Sequence, residues 1–291
     1  MILPRALRHQ RAITIMALVL LAVLAWTWIV AGAGMAMDPL VSIVPQSMSD
    51  IATPDMPMAD MAMGDMPMAD IPAPPIEGTS AWSGSRILLV MSMWWVMMIA
   101  MMLPAATPTI LLYAKAVGAS AHVSADGSNG AMSPATGAFL AGYLIVWGGF
   151  SVFATLLHMM LDATGLLSAM GMASQSRVLS AIVLIAAGAY QLSPLKEACL
   201  NHCRSPGQFL ARHYRPGRLG GMRMGVIHGA YCVGCCWLLM ALLFVGGVMN
   251  LAWIALLTLL VAAEKLLPWG RAVAIVAGLG CIGWGIAILV F

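Results

Sequence analysis

The chain has 291 residues, of which 62% are hydrophobic and 9% charged, with 14 Lys and Arg against 11 Asp and Glu for a formal net charge of +3. Soluble domains carry roughly 25% charged residues, so this balance excludes an ordinary water-soluble domain and identifies an integral membrane protein. So small an excess of positive charge, gathered in short segments between apolar runs, also argues against a nucleic-acid surface.

Crossing a hydrocarbon core about 30 Å thick takes about 17 to 25 apolar residues in a helix. On that measure the sequence predicts seven spans, at about residues 12–32, 87–113, 136–161, 178–193, 224–248, 251–267 and 271–290. Only helices satisfy every backbone polar group within one spanning segment, so the expected fold class is all-α, a polytopic transmembrane helical bundle. Three regions are expected: a membrane anchor at 1–33, an extracytoplasmic Met/Asp/Pro-rich flexible arm at 34–85, and a six-helix metal-binding membrane domain at 86–291.

Arg5, Arg8 and Arg11 precede the first span, and Ala31-Gly32-Ala33 after it resembles a signal cleavage site. The apolar stretch exceeds a secretory h-region, which favours an uncleaved anchor, and either way residue 35 onward emerges on the far side. Positive charge stays in cytoplasmic loops. Lys115, the group Lys196, Arg204, Arg212, Arg215, Arg218 and Arg223, and the pair Lys265 and Arg271 all fall on the side of the N-terminus when seven spans are counted. This places the N-terminus in the cytoplasm of a bacterial inner membrane, with the arm and the C-terminus outside.

Within the arm, residues 55–70 hold three tandem pentads of the form Asp-Met-x-Met-x closed by Asp70, supplying Met56, Met58, Met61, Met63, Met66 and Met68. Thioether sulfur is soft and neutral and selects Cu(I), and unlike a thiol it cannot form a disulfide in an oxidising compartment. An Ala/Pro/Met-rich linker is the plainer account of the same stretch, although a linker has no need of Met at every second position.

The second span carries Met91, Met93, Met97, Met98, Met101 and Met102 before Pro104. Two faces of Met argue for adaptable packing, while Pro104 should free a carbonyl inside the membrane, as happens where a cavity is lined. In the third span His158 and Asp162 stand four residues apart, so the carboxylate could orient the imidazole, and a polar pair at a helix end explains them equally well. The basic loop after the fourth span contains a short helix from Pro194 to His202, with Glu197, Cys199, His202 and Cys203. Its thiols should remain reduced in the cytoplasm.

The fifth span reads His228-x3-Cys232-x2-Cys235-Cys236. At about 100° per residue these four share roughly a third of the helix circumference. The interleaved Gly225, Gly229 and Gly234 let a neighbouring helix approach closely enough to complete a coordination shell. Cys236 stands where a c-type haem motif would need its axial His, which disfavours covalent haem, and the C-x-x-C spacing leaves a dithiol relay open. Glu264, beside Lys265 at the end of the sixth span, is either functional or one of two charges snorkelling to the interface. Cys281 has no assigned role.

Several segments resemble a family of bacterial integral membrane proteins predicted to bind metal: residues 93–104, 190–204, 232–237, 246–251 and 264–268. The resemblance covers about residues 85–290 and implies a helical inner-membrane domain with a metal site built from these Cys and His positions. It implies no substrate or reaction.

The leading functional expectation is Cu(I) handling, with the arm gathering copper, His228, Cys232, Cys235 and Cys236 binding it, and Cys199, His202 and Cys203 receiving it for a chaperone or cuproprotein partner. Thiolate and imidazole also accept zinc. A membrane redox enzyme, as a metallo-oxidase or through a Cys232/Cys235 dithiol, and a non-catalytic subunit of a membrane complex are the alternatives. No phosphate-cradling Gly-x4-Gly-Lys-Ser/Thr loop is present to supply energy.

Overall fold

The computed structural model describes residues 3–32, 82–123, 133–167 and 172–291; the Met-rich pentads at 55–70 lie outside the described residues. The helices run α1 (Leu3–Val30), α2 (Gly84–Val123), α3 (Pro134–Ala163), α4 (Arg177–Leu192), α5 (Pro194–Arg204), α6 (Pro206–His213), α7 (Gly217–Ala241), α8 (Leu243–Gly246), α9 (Leu251–Leu266) and α10 (Gly270–Val290). Apart from a single bridge between Leu167 and Ser174, the regular structure among the described residues is helical.

Five stretches are long and apolar enough to cross a membrane: those in α1, α2, α3 and α10, and Gly217–Gly246 across α7 and α8. A sixth arises if α4 and α5, which meet at 64°, form one broken span. The sequence reading of seven separate spans therefore differs at α4 and α9. Each stops at 16 residues, about 24 Å at 1.5 Å per residue and short of the hydrocarbon core.

Proline sets both ends. Ser193 is extended ahead of Pro194, and its Oγ accepts a hydrogen bond from the Lys196 backbone N–H, so one residue closes α4 and caps α5. Leu267 is likewise extended ahead of Pro268, the conformation that a following proline enforces. In contrast, α2 continues through Pro104 and Pro108 and runs ten residues past the expected end at 113. Carbonyls in this stretch accept from side chains, Leu103 from Thr107 Oγ at 2.9 Å and Met102 from Tyr143 OH at 3.2 Å.

Glycine brings α3 and α7 into contact. A Cβ on Gly225 would fall on the Phe139 carbonyl and one on Gly142 on the Met222 carbonyl, so the two backbones touch where only hydrogen leaves room. This approach seats Tyr143 of α3 against the thiol face of α7. On the other side, Gly188 and Gly278 allow the same closeness between α4 and α10. Leu20, Val23 and Leu24 of α1, Phe153 and Leu156 of α3, and Leu279 and Ile286 of α10 face outward, as helices bathed in lipid require.

Candidate metal centre

The thiols of α7 and α5 are 29 residues or more apart in sequence and meet in space. Cys232, Cys235 and Cys236 are buried on one face of α7, and the half-buried Cys203 comes across from α5 to lie beside Cys232 and Cys235. Cys199, one turn earlier on α5, lies over Gly234, where an added Cβ would sit 3.1 Å from its Sγ. Gly234 thus makes the room that Cys199 occupies. The two clusters that the sequence separates, one in a membrane span and one in a basic loop, form a single group of five thiols, because the bend at Ser193-Pro194 lays α5 against the middle of α7.

A cation faces this group. Lys265 of α9 directs its Nζ to Cys232 Sγ at 2.9 Å, and Tyr143 OH meets the same sulfur at 3.1 Å. Neither charge at the end of α9 snorkels. Glu264 is 2% exposed and accepts from Lys196 Nζ at 2.6 Å and from Gln191 Nε2 at 2.7 Å, and Lys196 is itself fully buried. The Lys196–Glu264 pair neutralises itself, leaving the Lys265 ammonium as the charge presented to sulfur. Around this floor Arg204 donates to the carbonyls of Leu267 and Pro268, and Arg271 to those of Gln191 and Leu192. These bonds hold the α4–α5 corner and the C-terminal end of α5 to the α9–α10 turn.

The imidazoles are distributed differently. His228 is buried one turn before Cys232, enclosed by Tyr143, Phe139 and Phe209, with its Nδ1 lacking a partner. His202 lies flat on Tyr231, ring centroids 4.1 Å apart, with Nδ1 against the Ala198 carbonyl; it borders a surface cavity of about 170 Å³ shared with Asn201, Gln208 and Arg212. Glu197 pairs with Arg271 at the surface, 3.4 Å away. His158 is buried near the opposite end of the bundle, edge-on to Trp82 and Phe244. Asp162 accepts from Trp82 Nε1 at 3.0 Å and from Arg86 at 3.4 Å, while His158 Nδ1 has no hydrogen-bond partner.

Among the described residues no group of three or more His, Cys, Asp or Glu is already arranged to hold a metal ion. Two of the α7 thiols are engaged with backbone instead. Cys235 and Cys236 Sγ each donate to the Cys232 carbonyl, at 3.1 and 2.9 Å, and Cys236 also contacts Met102 Sδ at 3.8 Å. Turning χ1 to another staggered well releases each sulfur from its carbonyl. The donor set is chemically suited to a soft ion: free thiols, those of α7 buried and those of α5 half-buried, with an imidazole one turn away that has an unused nitrogen.

Tyr143 and Gln191 were not singled out by the sequence, and Lys265, Lys196 and Met102 were read there only as interfacial or topological charge and as packing, not as parts of the site. For Lys265 and Lys196 the available signal was their presence beside apolar helices, where a lysine needs a partner. For Tyr143 and Met102 only the glycine-mediated approach of α3 and the packing of α2 reveal the contact.

A family model described as PpoB2, copper chaperone, matches residues 91–288. That range contains every cysteine of the cluster together with Lys265, Tyr143 and Met102. Comparison with curated proteins and with solved structures gives no match.

Proposed function

The chain belongs to the PpoB2 copper chaperone family, and we propose that it carries Cu(I) on the thiols of α5 and α7 for delivery to a copper-requiring protein. That it handles copper in a membrane follows from the family and from helices long and apolar enough to span one. The observation that carries the finer reading is the convergence of Cys203 on Cys232 and Cys235 beneath Lys265.

Charge explains why the cation belongs there. Two thiolates and one Cu(I) sum to −1, and an isolated charge in a low-dielectric interior costs several kcal/mol even after relaxation. The ammonium of Lys265, within hydrogen-bond distance of Cys232, brings that sum to zero. His228 offers a further neutral nitrogen one turn away, and Cys199 and His202 lie toward the exposed face of α5 from which a partner would take the ion. The Met-rich segment acts as a collector on the outer side of a bacterial inner membrane, with the N-terminus in the cytoplasm, and copper moves from it toward α5. Zinc competes at the thiols but not at thioethers.

The test is metal analysis of the full-length protein purified anaerobically in detergent, comparing the wild type, a form lacking residues 55–70, and Cys232→Ser/Cys235→Ser. Copper retained without the Met-rich segment and lost in the double variant supports the reading. Protein free of metal in every form, with Cys232 and Cys235 joined as a disulfide, overturns it in favour of a dithiol oxidoreductase.

A further inference from the structure

Helix α2 buries an unusual amount of thioether. Met93, Met97, Met98, Met101 and Met102 are each no more than 2% exposed. They form two adjoining rows, Met93, Met97 and Met101 in one and Met98 and Met102 in the other, with four-residue steps of about 6 Å along the axis. Met is unbranched with three rotatable bonds, so neighbouring thioethers at that spacing can swing toward a common point. From Met93 to Met102 the rows cover about 13 Å of depth at 1.5 Å per residue. The rows end at the thiol cluster: Met102 Sδ lies 3.8 Å from Cys236 Sγ. The Met102 backbone is fixed there by Tyr143, whose hydroxyl bonds its carbonyl and also touches Cys232 Sγ.

We propose that the α2 methionines form a thioether path for Cu(I) and that Met102 and Cys236 together are its point of entry to the thiol cluster. This rests on the copper-carrier reading above and adds to it a route and a second kind of ligand. The path begins toward the end of the bundle where Trp82 and Arg86 open α2, the end to which the Met-rich segment is joined in sequence. Thioethers are neutral and bind Cu(I) more weakly than thiolates, so the ion keeps its charge and is not trapped until it reaches Cys236. There the Cu–S bond to Met102 gives way to one with Cys236, whose thiol proton is released to solvent as metal binding to a thiol requires. Copper stays Cu(I) throughout and no electron moves. Filling a core alone would not need sulfur, since Leu packs as well and with better-defined rotamers.

The test uses the full-length protein with ¹³C-methyl methionine in lipid nanodiscs, titrated with Ag(I) as a diamagnetic stand-in for Cu(I) and assigned with single Met-to-Leu variants. The Met102 methyl and those of Met98 or Met101 should shift as metal fills the thiols. In proteoliposomes offered Cu(I) only on the side of the Met-rich segment, Met102→Leu should fill to the same stoichiometry about tenfold more slowly, the scale expected when a supporting group of a metal site is lost. Thiols that fill while no α2 methyl moves, or a Met102→Leu rate equal to wild type, overturn the path and leave the carrier reading standing. Thiols that take no metal at all defeat the carrier reading itself, an outcome read from stoichiometry rather than from rate.

Discussion

His228 on α7 and His158 on α3 look alike in isolation: each is a buried imidazole among aromatic rings, with an Nδ1 that lacks a partner. Their surroundings separate them. One turn from His228 stands Cys232, with Lys265 and Tyr143 on its sulfur and Cys203 arriving from α5. One turn from His158 stands Asp162, already occupied by Trp82 and Arg86 at a partly exposed helix end. A buried imidazole is therefore a candidate copper ligand only where soft donors and a compensating charge accompany it.

The sharpest way to break that distinction is metal content. Cys232→Ser/Cys235→Ser should lose the bound copper altogether, whereas His158→Ala should keep the wild-type amount, both read by mass spectrometry on protein purified without oxygen. Copper lost from His158→Ala would mean that the end of the bundle near Trp82 holds metal after all.

Next in size is the buried ion pair beneath the thiols. Glu264→Gln removes the partner of a fully buried Lys196 and should cost about 3 to 5 kcal/mol of stability, the usual penalty for orphaning an internal charge. Replacing both, as Lys196→Met/Glu264→Leu, should recover much of that loss, because a well-packed apolar pair often equals a buried ion pair. Thermal unfolding in detergent at fixed lipid content gives both values. A double variant as unstable as the single one would show that the pair does more than neutralise itself.

Lys265→Met keeps the length of the side chain and removes the ammonium. Copper affinity should fall by roughly 10- to 100-fold, as for other groups that support metal ligands from behind. Competition with a Cu(I) chelator of known affinity measures it. An unchanged affinity would mean that Cys232 needs no compensating charge, and the contrast with His158 would then rest on the sulfurs alone.

The sequence made the helical membrane character and the α7 thiol face legible, because hydropathy and a 100° turn per residue depend only on local order. The union of the two cysteine clusters was not legible. It depends on a 64° corner at Ser193-Pro194, and a proline that opens a helix says nothing about the direction in which that helix departs. Pro104 is expected from sequence to free a carbonyl inside the membrane; α2 runs on through it, and only the packing reveals that Tyr143 and Thr107 are the side chains that meet the nearby carbonyls. Glu264 and Lys265 look like a snorkelling pair when adjacent in sequence. Consecutive helical residues point about 100° apart, so one meets Lys196 and the other Cys232.

Asp162→Asn is the smallest of these effects and tests the other half of the comparison. The Asp162–Arg86 pair is about one-third exposed at both side chains, and such pairs contribute at most about 1 kcal/mol. Asn retains a carbonyl oxygen for Trp82 Nε1, and the Arg86 guanidinium keeps the face of Trp82, 4.4 Å from the ring centroid. Each partner of the lost charge thus has a remaining contact, unlike Lys196 when Glu264 is changed. Thermal unfolding should accordingly show a loss well below that of Glu264→Gln, with copper content unchanged. A loss equal to that of Glu264→Gln would place the same energetic weight on both ends of the bundle, and charge burial could then no longer distinguish the thiol cluster from the end that anchors Trp82.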